Sequence, residues 1–417
     1  MGTRYLDGLR GVFSFIVFVR HFLVPWEPTI DTGFSGKGNL TPDMSVLKLP
    51  FVRILYSGPT VPVFFVVSGF LLAHKPLRLA HNGEMENFLN SISSSIFRRA
   101  LRLFLPPAIS TFLVALAVRF GAYNAPYGAM PGQVPQHPER FDSFTFQMTD
   151  WIRFVVYELT QLWNWEIYDF KYDTHLYTVP IQFRSSIIIF VLLTGLARVT
   201  ARLRMVILVF IWLFLQQQRR WDVGLFVAGV IIRAACPLPE CSELQITSVT
   251  ETPKGRVKNN WRRIFWRFLF VLGLYLGSFP RGDGAAELTP GYAWLSTLTK
   301  KFTIWHSYGA TAILCALSHD RDLQEIFMNS WFYYLGKISF SLYLVHGPML
   351  HIYGYSFTAK LLSLVDQTSP FQYQGIIFIS LIFTTIPVLW AADLFWRVVD
   401  RSCGTAVARL ERACFQS

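Results

Sequence analysis

Residues 4–26 read RYLDGLRGVFSFIVFVRHFLVPW, an apolar run that carries Arg10 near its start and Arg20-His21 near its end. Arg10 and His21 are about three helical turns apart, so both side chains lie on nearly one face, roughly 16 Å from each other. Ser14 shares this face. Since bilayer hydrocarbon is about 30 Å thick, an Arg10 near one boundary places His21 near the middle. An ionisable side chain there usually marks a pathway or a reactive centre, so the segment predicts a membrane enzyme.

The composition supports a chain that is solvated by lipid. Of its 417 residues, 52% are hydrophobic and only 15% are charged, and the mean hydropathy is +0.36. A soluble protein of this length needs more charge to cover its surface. The net charge of +12 could suggest nucleic acid as a partner. The basic residues instead cluster between apolar runs, as membrane-flanking charges do, so we expect no nucleic-acid binding.

Apolar segments recur along the whole chain, and they predict an all-α, polytopic membrane protein with one domain over residues 1–417. Backbone polar groups in lipid must be satisfied within their own segment, so these spans are expected to be helices. The chain offers about ten such segments. Their approximate positions are 9–26, 59–74, 101–119, 176–197, 204–217, 221–236, 263–279, 302–318, 332–351 and 375–397.

The distribution of charge predicts the orientation of these spans. Most of the 38 lysine and arginine residues fall on one side of the membrane if both termini are cytoplasmic, as the positive-inside rule requires. The longest outer loop is then 120–175, whose Pro, Gly and aromatic content indicates an ordered lid or an acceptor-binding surface. Residues 237–262 form a polar inner loop. The sequence leaves open whether the membrane is an endomembrane or the plasma membrane.

His21 is the leading catalytic candidate. A neutral imidazole in a low-dielectric site can accept the proton of a hydroxyl that attacks a thioester. The alternative is a histidine that packs between helices, and the presence of Arg10 on the same face, with Asp7 three residues before it, favours the catalytic interpretation. No group of His, Cys, Asp and Glu residues has the spacing of metal ligands, so the sequence predicts neither a metal site nor a bound cofactor.

Four motifs occur in order along the chain. The first is Asp7-Gly8-Leu9-Arg10-Gly11 with His21. The others are residues 64–70 (FFVVSGF), Arg99-x-x-Arg102 followed by Pro106, and residues 336–346 (GKISFSLYLVH). Together they extend over roughly residues 4 to 397 and resemble the motifs of the acyltransferase 3 family of membrane O-acyltransferases, in which the second lies on the second helix.

This resemblance implies about ten membrane helices and a cytoplasmic acyl-CoA donor, usually acetyl-CoA. It also implies transfer to a hydroxyl of a carbohydrate or small-molecule acceptor. Carried over by motif, His21 is the catalytic residue, and Arg10 is its structural or electrostatic partner. Arg99 and Arg102 are donor-side residues, with i, i+3 spacing that gives one cationic face for the CoA phosphates. The alternative for these two arginines is ordinary positive-inside anchoring.

Two further motif positions allow more than one interpretation. Ser68 and Gly69 either permit close helix packing or leave a gap for the pantetheine arm of the donor. On the predicted ninth span, Tyr343 and His346 follow Ser339 at i+4 and i+7. They either line the cavity that contains His21 or anchor the helix at the membrane interface.

The segment 175–184 (HLYTVPIQFR) departs from the family pattern, which usually has Trp at the position of Tyr177 and Glu at the position of Gln182. His175, Thr178 and Gln182 still share a polar helical stripe that continues to Ser185 or Ser186. Gln can hydrogen-bond a substrate but cannot carry a charge. The Glu is therefore dispensable here, the acceptor differs, or activity is reduced or lost.

Two functions compete with the acyltransferase. A transporter could use Arg10, Arg20, His21 and Arg184 as an ion or substrate path. Transporters often show internal repeats or paired broken helices, and this sequence shows neither. An inactive relative that only binds an acylated ligand is the third possibility, and Gln182 is its motivation. The ordered motifs favour the enzyme.

Overall fold

The computed structural model describes residues 3–35, 45–163, 165, 170–236 and 253–415. Within these ranges the secondary structure is helical, without strands. Its α-helices are, in chain order, α1 (Arg4–Leu23), α2 (Ile54–Ser57), α3 (Thr60–His81), α4 (Met85–Arg119), α5 (Phe144–Phe154), α6 (Thr178–Gly195), α7 (Ala201–Gln217), α8 (Trp221–Ala235), α9 (Pro253–Gly277), α10 (Ala293–Leu298), α11 (Phe302–His319), α12 (Arg321–Ile326), α13 (Ser330–Met349), α14 (Tyr355–Leu362), α15 (Pro370–Phe395) and α16 (Arg401–Cys414).

Each of the ten apolar segments read from the sequence coincides with one of these helices: α1, α3, α4, α6, α7, α8, α9, α11, α13 and α15. Within the described ranges, four helical stretches are long and apolar enough to cross a membrane, namely Thr60–His81, Met85–Arg119, Thr174–Gly195 and Pro370–Cys414. The all-helical class is therefore confirmed, whereas the count of ten spans stays a prediction.

Helix α1 packs along α13, and glycines set the distance between them. A Cβ atom on Gly11 would lie 2.4 Å from the backbone nitrogen of Gly336, and one on Gly336 would lie 2.3 Å from the carbonyl oxygen of Asp7. No side chain fits at either position, because such contacts are far shorter than van der Waals distance. Small residues let the two backbones meet, and this contact joins the first sequence motif to the last one.

Helices α3 and α8 cross in the same way. A Cβ atom on Gly69 would lie 2.1 Å from the carbonyl oxygen of Phe226, and one on Gly229 would lie 2.1 Å from that of Val66. Gly69 therefore serves helix packing, which is one of the two interpretations left open by the sequence. The neighbouring Ser68 faces the opposite way and lines a cavity.

The predicted outer loop 120–175 packs against the helices. It contains α5 and a π-helical turn, Val155–Leu159. The Trp151 indole donates a hydrogen bond to Thr111 in α4 (3.2 Å), and the Tyr172 hydroxyl donates one to Asp150 (2.9 Å). These contacts agree with an ordered surface rather than a linker. Most of the predicted inner loop 237–262 lies outside the described residues.

Candidate active site

A cavity of about 650 Å³, here named the arginine cavity, lies where α1, α3, α4, α6 and α13 meet. Five basic side chains line it, and they outnumber the acidic ones, Asp7 and Asp400. The basic residues are Arg10, Arg98, Arg99, Arg102 and Lys337. A volume in this range holds a small-molecule ligand, and an excess of guanidinium groups suits phosphate oxygens. Arg98 joins this lining, although the sequence motif contains only Arg99 and Arg102.

A chain of hydrogen bonds fixes Arg99 on the wall of the arginine cavity. Its Nε donates to the Ser186 hydroxyl (2.5 Å), which donates to the backbone carbonyl of Gln182 (2.5 Å). The Gln182 side chain lines the same cavity. The family's missing carboxylate would therefore belong among the arginines, and the cavity that contains His21 is a different one.

That second cavity, here named the histidine cavity, has a volume of about 310 Å³. His21, His175 and Tyr177 line it, together with Gln133 and Gln136 from the predicted outer loop. The ring centroid of His21 lies 3.8 Å from that of His175 and 5.6 Å from that of His346. His346 is fully buried, which excludes the interfacial anchoring considered for it. Three histidines from α1, α13 and the turn before α6 thus form one cluster.

Hydrogen bonds set the orientation of two of these rings. His175 Nδ1 lies 2.5 Å from Asp173 Oδ1, which also accepts the backbone N–H of His175 (3.0 Å). His346 Nδ1 lies 3.0 Å from the carbonyl oxygen of Leu342. Both acceptors favour a proton on Nδ1, so in the neutral form of each ring Nε2 presents a lone pair. The two Nε2 atoms are buried and have no hydrogen-bond partner within the described chain.

The cluster could hold a metal ion, because ligand atoms of all three histidines lie within 4.8 Å of one another. Nitrogens around a tetrahedral zinc are about 3.3 Å apart, so the rings would have to draw together. Sequence spacing predicted no such group. It could not have done so, since His21, His175 and His346 belong to distant parts of the chain. A ring nitrogen whose lone pair has no hydrogen-bond donor can also accept a proton, so the cluster suits acid–base chemistry as well as metal binding.

The two cavities meet at a junction of three side chains. Val61, Thr178 and Tyr343 line both cavities. The Thr178 and Tyr343 hydroxyls lie 2.6 Å apart, and the Tyr343 hydroxyl also donates to the backbone carbonyl of His175. The polar stripe predicted from the sequence therefore runs from His175 in one cavity, through the junction, to Gln182 in the other.

The charged residues proposed for a transporter do not form one path. Arg184 is buried and pairs with Asp222 on α8 (2.9 Å), outside the lining of both cavities. Arg20 forms two hydrogen bonds with Asp31 (3.1 and 2.8 Å). Arg10 lies in the arginine cavity and is thus separated from His21 by the junction.

Sequence reasoning missed two charged residues of the histidine cavity. Asp173 orients His175, and its position two residues before a histidine was the available signal. Arg281 reaches the cavity from the loop between α9 and α10. A loop residue with no neighbouring motif gives no such signal, because only the tertiary fold brings it to the site.

Comparison with known proteins identifies the family. The model of the acyltransferase domain matches residues 3–232 and 251–392. The chain therefore belongs to this acyltransferase family, as its motifs indicated, and it is an acyltransferase.

Three curated relatives agree with this assignment. The O-acetyltransferase PaAT-1 of Phomopsis amygdali is 31% identical over 95% of this chain and 82% of its own length. The acyltransferase R4 of Phoma sp. is 26% identical over 98% of this chain and 96% of its own length. The acyltransferase clz18 of Cochliobolus lunatus is 25% identical over 84% and 83%, respectively. No solved structure matches the chain.

Proposed function

We propose that the protein is a multi-pass membrane O-acyltransferase that moves an acetyl group from acetyl-CoA to a hydroxyl of a carbohydrate or small-molecule acceptor. The observation that carries this proposal is the pair of cavities that meet at Thr178 and Tyr343. One cavity has the charge that a nucleotide donor needs, and the other has imidazoles that can accept a proton. A direct transfer requires both substrates to approach one point at the same time.

On the donor side, Arg99 and Arg102 bind the CoA phosphates, and the pantetheine arm extends past Ser68 toward the junction. The thioester carbonyl then lies beside the Thr178 and Tyr343 hydroxyls. Bidentate guanidinium groups suit phosphate oxygens, and the hydrogen bond from Arg99 to Ser186 (2.5 Å) holds one of them in place. Arg10 contributes positive charge at the inner end of α1, close to Asp7.

On the acceptor side, His21 acts as the general base. The acceptor oxygen attacks the thioester carbonyl carbon, and its proton passes to His21. The carbon–sulfur bond breaks, a carbon–oxygen bond forms, and the proton returns to the CoA sulfur to give the free thiol. His175, oriented by Asp173, packs against the His21 ring. A cavity of about 310 Å³ suits a small molecule or the end group of a larger one.

The membrane orientation follows from the charge distribution. We propose that both termini and the arginine cavity face the cytoplasm, where acyl-CoA is made available, and that residues 120–175 face the opposite side. A cysteine at position 140 in a cysteine-free background tests this topology. Labelling by an impermeant thiol reagent from the non-cytoplasmic side only is the expected result, and labelling from the cytoplasmic side would overturn it.

The central test measures acetyl transfer from radiolabelled acetyl-CoA by purified His21→Ala. We expect turnover to fall at least ~10²-fold, as for the loss of a general base, while the protein stays folded and membrane-inserted. His81→Ala is the matched control, because His81 is exposed at the end of α3 and lines neither cavity. Near-normal turnover in His21→Ala would remove His21 from its role as base.

Turnover of the wild-type protein, combined with CoA binding and with flux measurements, decides between the three candidate functions. Wild-type protein with no turnover on any hydroxylated acceptor, together with intact CoA binding, would indicate an inactive relative. Acceptor flux across proteoliposomes without acetylation would indicate a transporter.

A further inference from the structure

The histidine cavity contains a positive charge that the proposed transfer does not use. Arg281 lines this cavity together with His21 and Arg20. One of its terminal nitrogens donates a long hydrogen bond to the carbonyl of Gly58 (3.3 Å), and its guanidinium lies 5.4 Å from the Phe302 ring centroid. Its Nε is buried without a hydrogen-bond partner in the part of the chain that the structure describes.

The carboxylates near Arg281 are already engaged elsewhere. Asp31 accepts hydrogen bonds from both terminal nitrogens of Arg20, and Asp173 is hydrogen-bonded to His175. Burial alone would raise the pKa of Asp31, but Arg20, with Arg281 and Arg53 nearby, lowers it below its usual value. Among the described residues, Arg281 itself forms no ion pair. Burial and the charge of Arg20 lower the pKa of Arg281 to about 9, so it is still cationic at neutral pH.

A buried guanidinium with unused donors is costly unless a ligand supplies the missing acceptor. The remaining lining of the cavity combines apolar Val and Pro side chains with polar ones. Tyr123, Gln133 and Gln136 are polar side chains of this lining that can bind hydroxyl groups. A planar carboxylate can accept two parallel hydrogen bonds from the fork of an arginine, and hydroxy acids carry this group beside hydroxyls.

We propose that Arg281 is a carboxylate-binding residue and that the acceptor is a hydroxy acid, whose carboxylate on Arg281 holds a hydroxyl toward His21. This inference rests on the proposed function, because it assigns the histidine cavity to the acceptor. It narrows the acceptor class from any hydroxyl compound to an anionic one. Arg281 is then a specificity-determining residue, while Arg20, which is occupied by Asp31, supports the cavity wall.

Binding of glucuronate and of glucose tests this inference, since the two sugars differ chiefly in one carboxylate. Radiolabelled sugar binds to the purified full-length protein in the presence of saturating CoA, which blocks the arginine cavity. We expect wild-type protein to bind glucuronate about tenfold or more tightly than glucose, as charge-assisted hydrogen bonds would give. Arg281→Gln should abolish this preference, and Arg281→Lys should keep part of it, because the charge remains but the fork is lost.

Arg153→Gln is the matched control, because Arg153 is an exposed arginine of α5 that lines neither cavity. This variant should keep the wild-type preference. Equal or undetectable binding of both sugars by wild-type protein, or an unchanged preference in Arg281→Gln, would overturn the proposal. If Arg281→Gln does not fold, the wild-type pair and Arg281→Lys still decide the question.

Binding and turnover separate this inference from the proposed function. Acetyl transfer to glucose without any preference for glucuronate would leave the acyltransferase assignment intact and remove the carboxylate site. Tight glucuronate binding that depends on Arg281, in a protein without acetyl transfer, would support the carboxylate site and remove the proposed acetyl transfer.

Discussion

The hydrogen-bonded hydroxyls of Thr178 and Tyr343 lie at the junction between the two cavities, and we expect their removal to increase hydrolysis of the donor relative to acyl transfer. Tyr343→Phe deletes the hydroxyl that lies 2.6 Å from Thr178 Oγ1 and that donates to the backbone carbonyl of His175. Thr178→Val deletes the other partner at nearly constant volume. Without this link, the junction is expected to loosen and to admit water beside the thioester.

The energetic size of this link follows from its geometry. A neutral hydrogen bond contributes about 0.5–1.5 kcal/mol net. The Tyr343 hydroxyl takes part in two such bonds, whereas Thr178→Val removes chiefly the bond between the two hydroxyls. Tyr343→Phe should therefore lower the free energy of unfolding by about 1–3 kcal/mol, and Thr178→Val by about 0.5–1.5 kcal/mol. The double variant should show a coupling energy of about 1 kcal/mol, because both single changes remove the same bond.

Two assays check this prediction. Unfolding of the purified variants in mixed detergent and dodecyl sulfate gives the coupling energy. Acetyl-CoA consumption, compared with acetylated product, gives the fraction of donor lost to water, which should rise in each single variant. Tyr157→Phe is the control, because Tyr157 is 71% exposed on the predicted outer loop. Strictly additive stabilities with an unchanged hydrolysis fraction would refute the expectation that this pair limits hydrolysis.

Four other outcomes are expected. Arg99→Ala and Arg102→Ala should raise the KM for acetyl-CoA with less effect on kcat, and Arg→Lys should rescue only partly; full rescue by Lys would return both residues to membrane anchoring. Gln182→Glu should also raise the donor KM, because the new carboxylate would compete with CoA phosphates among the arginines; a changed pH profile with normal donor affinity would contradict this. Burial raises the pKa of Glu27 from 4.5 to about 7, so the folded state prefers the protonated form. The free energy of unfolding should therefore fall as pH rises from about 5 to 8, a loss that Glu27→Gln should remove in denaturant titrations. Dialysis against chelators should leave turnover intact, whereas a loss restored by zinc would make the histidine cluster a metal site.

The helices were predictable because membrane helices are local features. An apolar segment in lipid has to form its backbone hydrogen bonds internally. A segment such as 302–318 could therefore be assigned as a helix from its amino-acid composition, and it agrees with α11. Short segments were harder to interpret as spans. Helix α8 has 15 residues, fewer than the roughly 20 that an ideal span requires. The sequence therefore predicts that this helix exists but not whether it crosses the whole bilayer.

The motifs located the arginine cavity more completely than the histidine cavity. Arg10, Arg99 and Arg102 lie in one cavity because the first and third sequence motifs belong to helices that pack around it. The polar stripe that joins His175 to Gln182 suggests one site, yet Gln182 lies two turns of helix beyond His175 and lines the arginine cavity. A stripe along one helix gives the direction of its side chains but not the point at which one cavity ends and another begins.

The acceptor side depends on contacts between distant segments, which explains why a single sequence reveals so little of it. His21 was found because a charged group inside an apolar run is anomalous, and His346 because it ends a motif. Asp173 and Arg281 lie in loops, where charged residues are common. The nearby His175 gave the one sequence signal for Asp173, and only the fold brings Arg281 to the cavity. The residues that distinguish one acceptor from another are expected in such loops, since loops vary while the helices that support them keep the chemistry. Family membership therefore determines that this chain transfers an acyl group, and we propose that Arg281, the loop arginine of the histidine cavity, selects the acceptor.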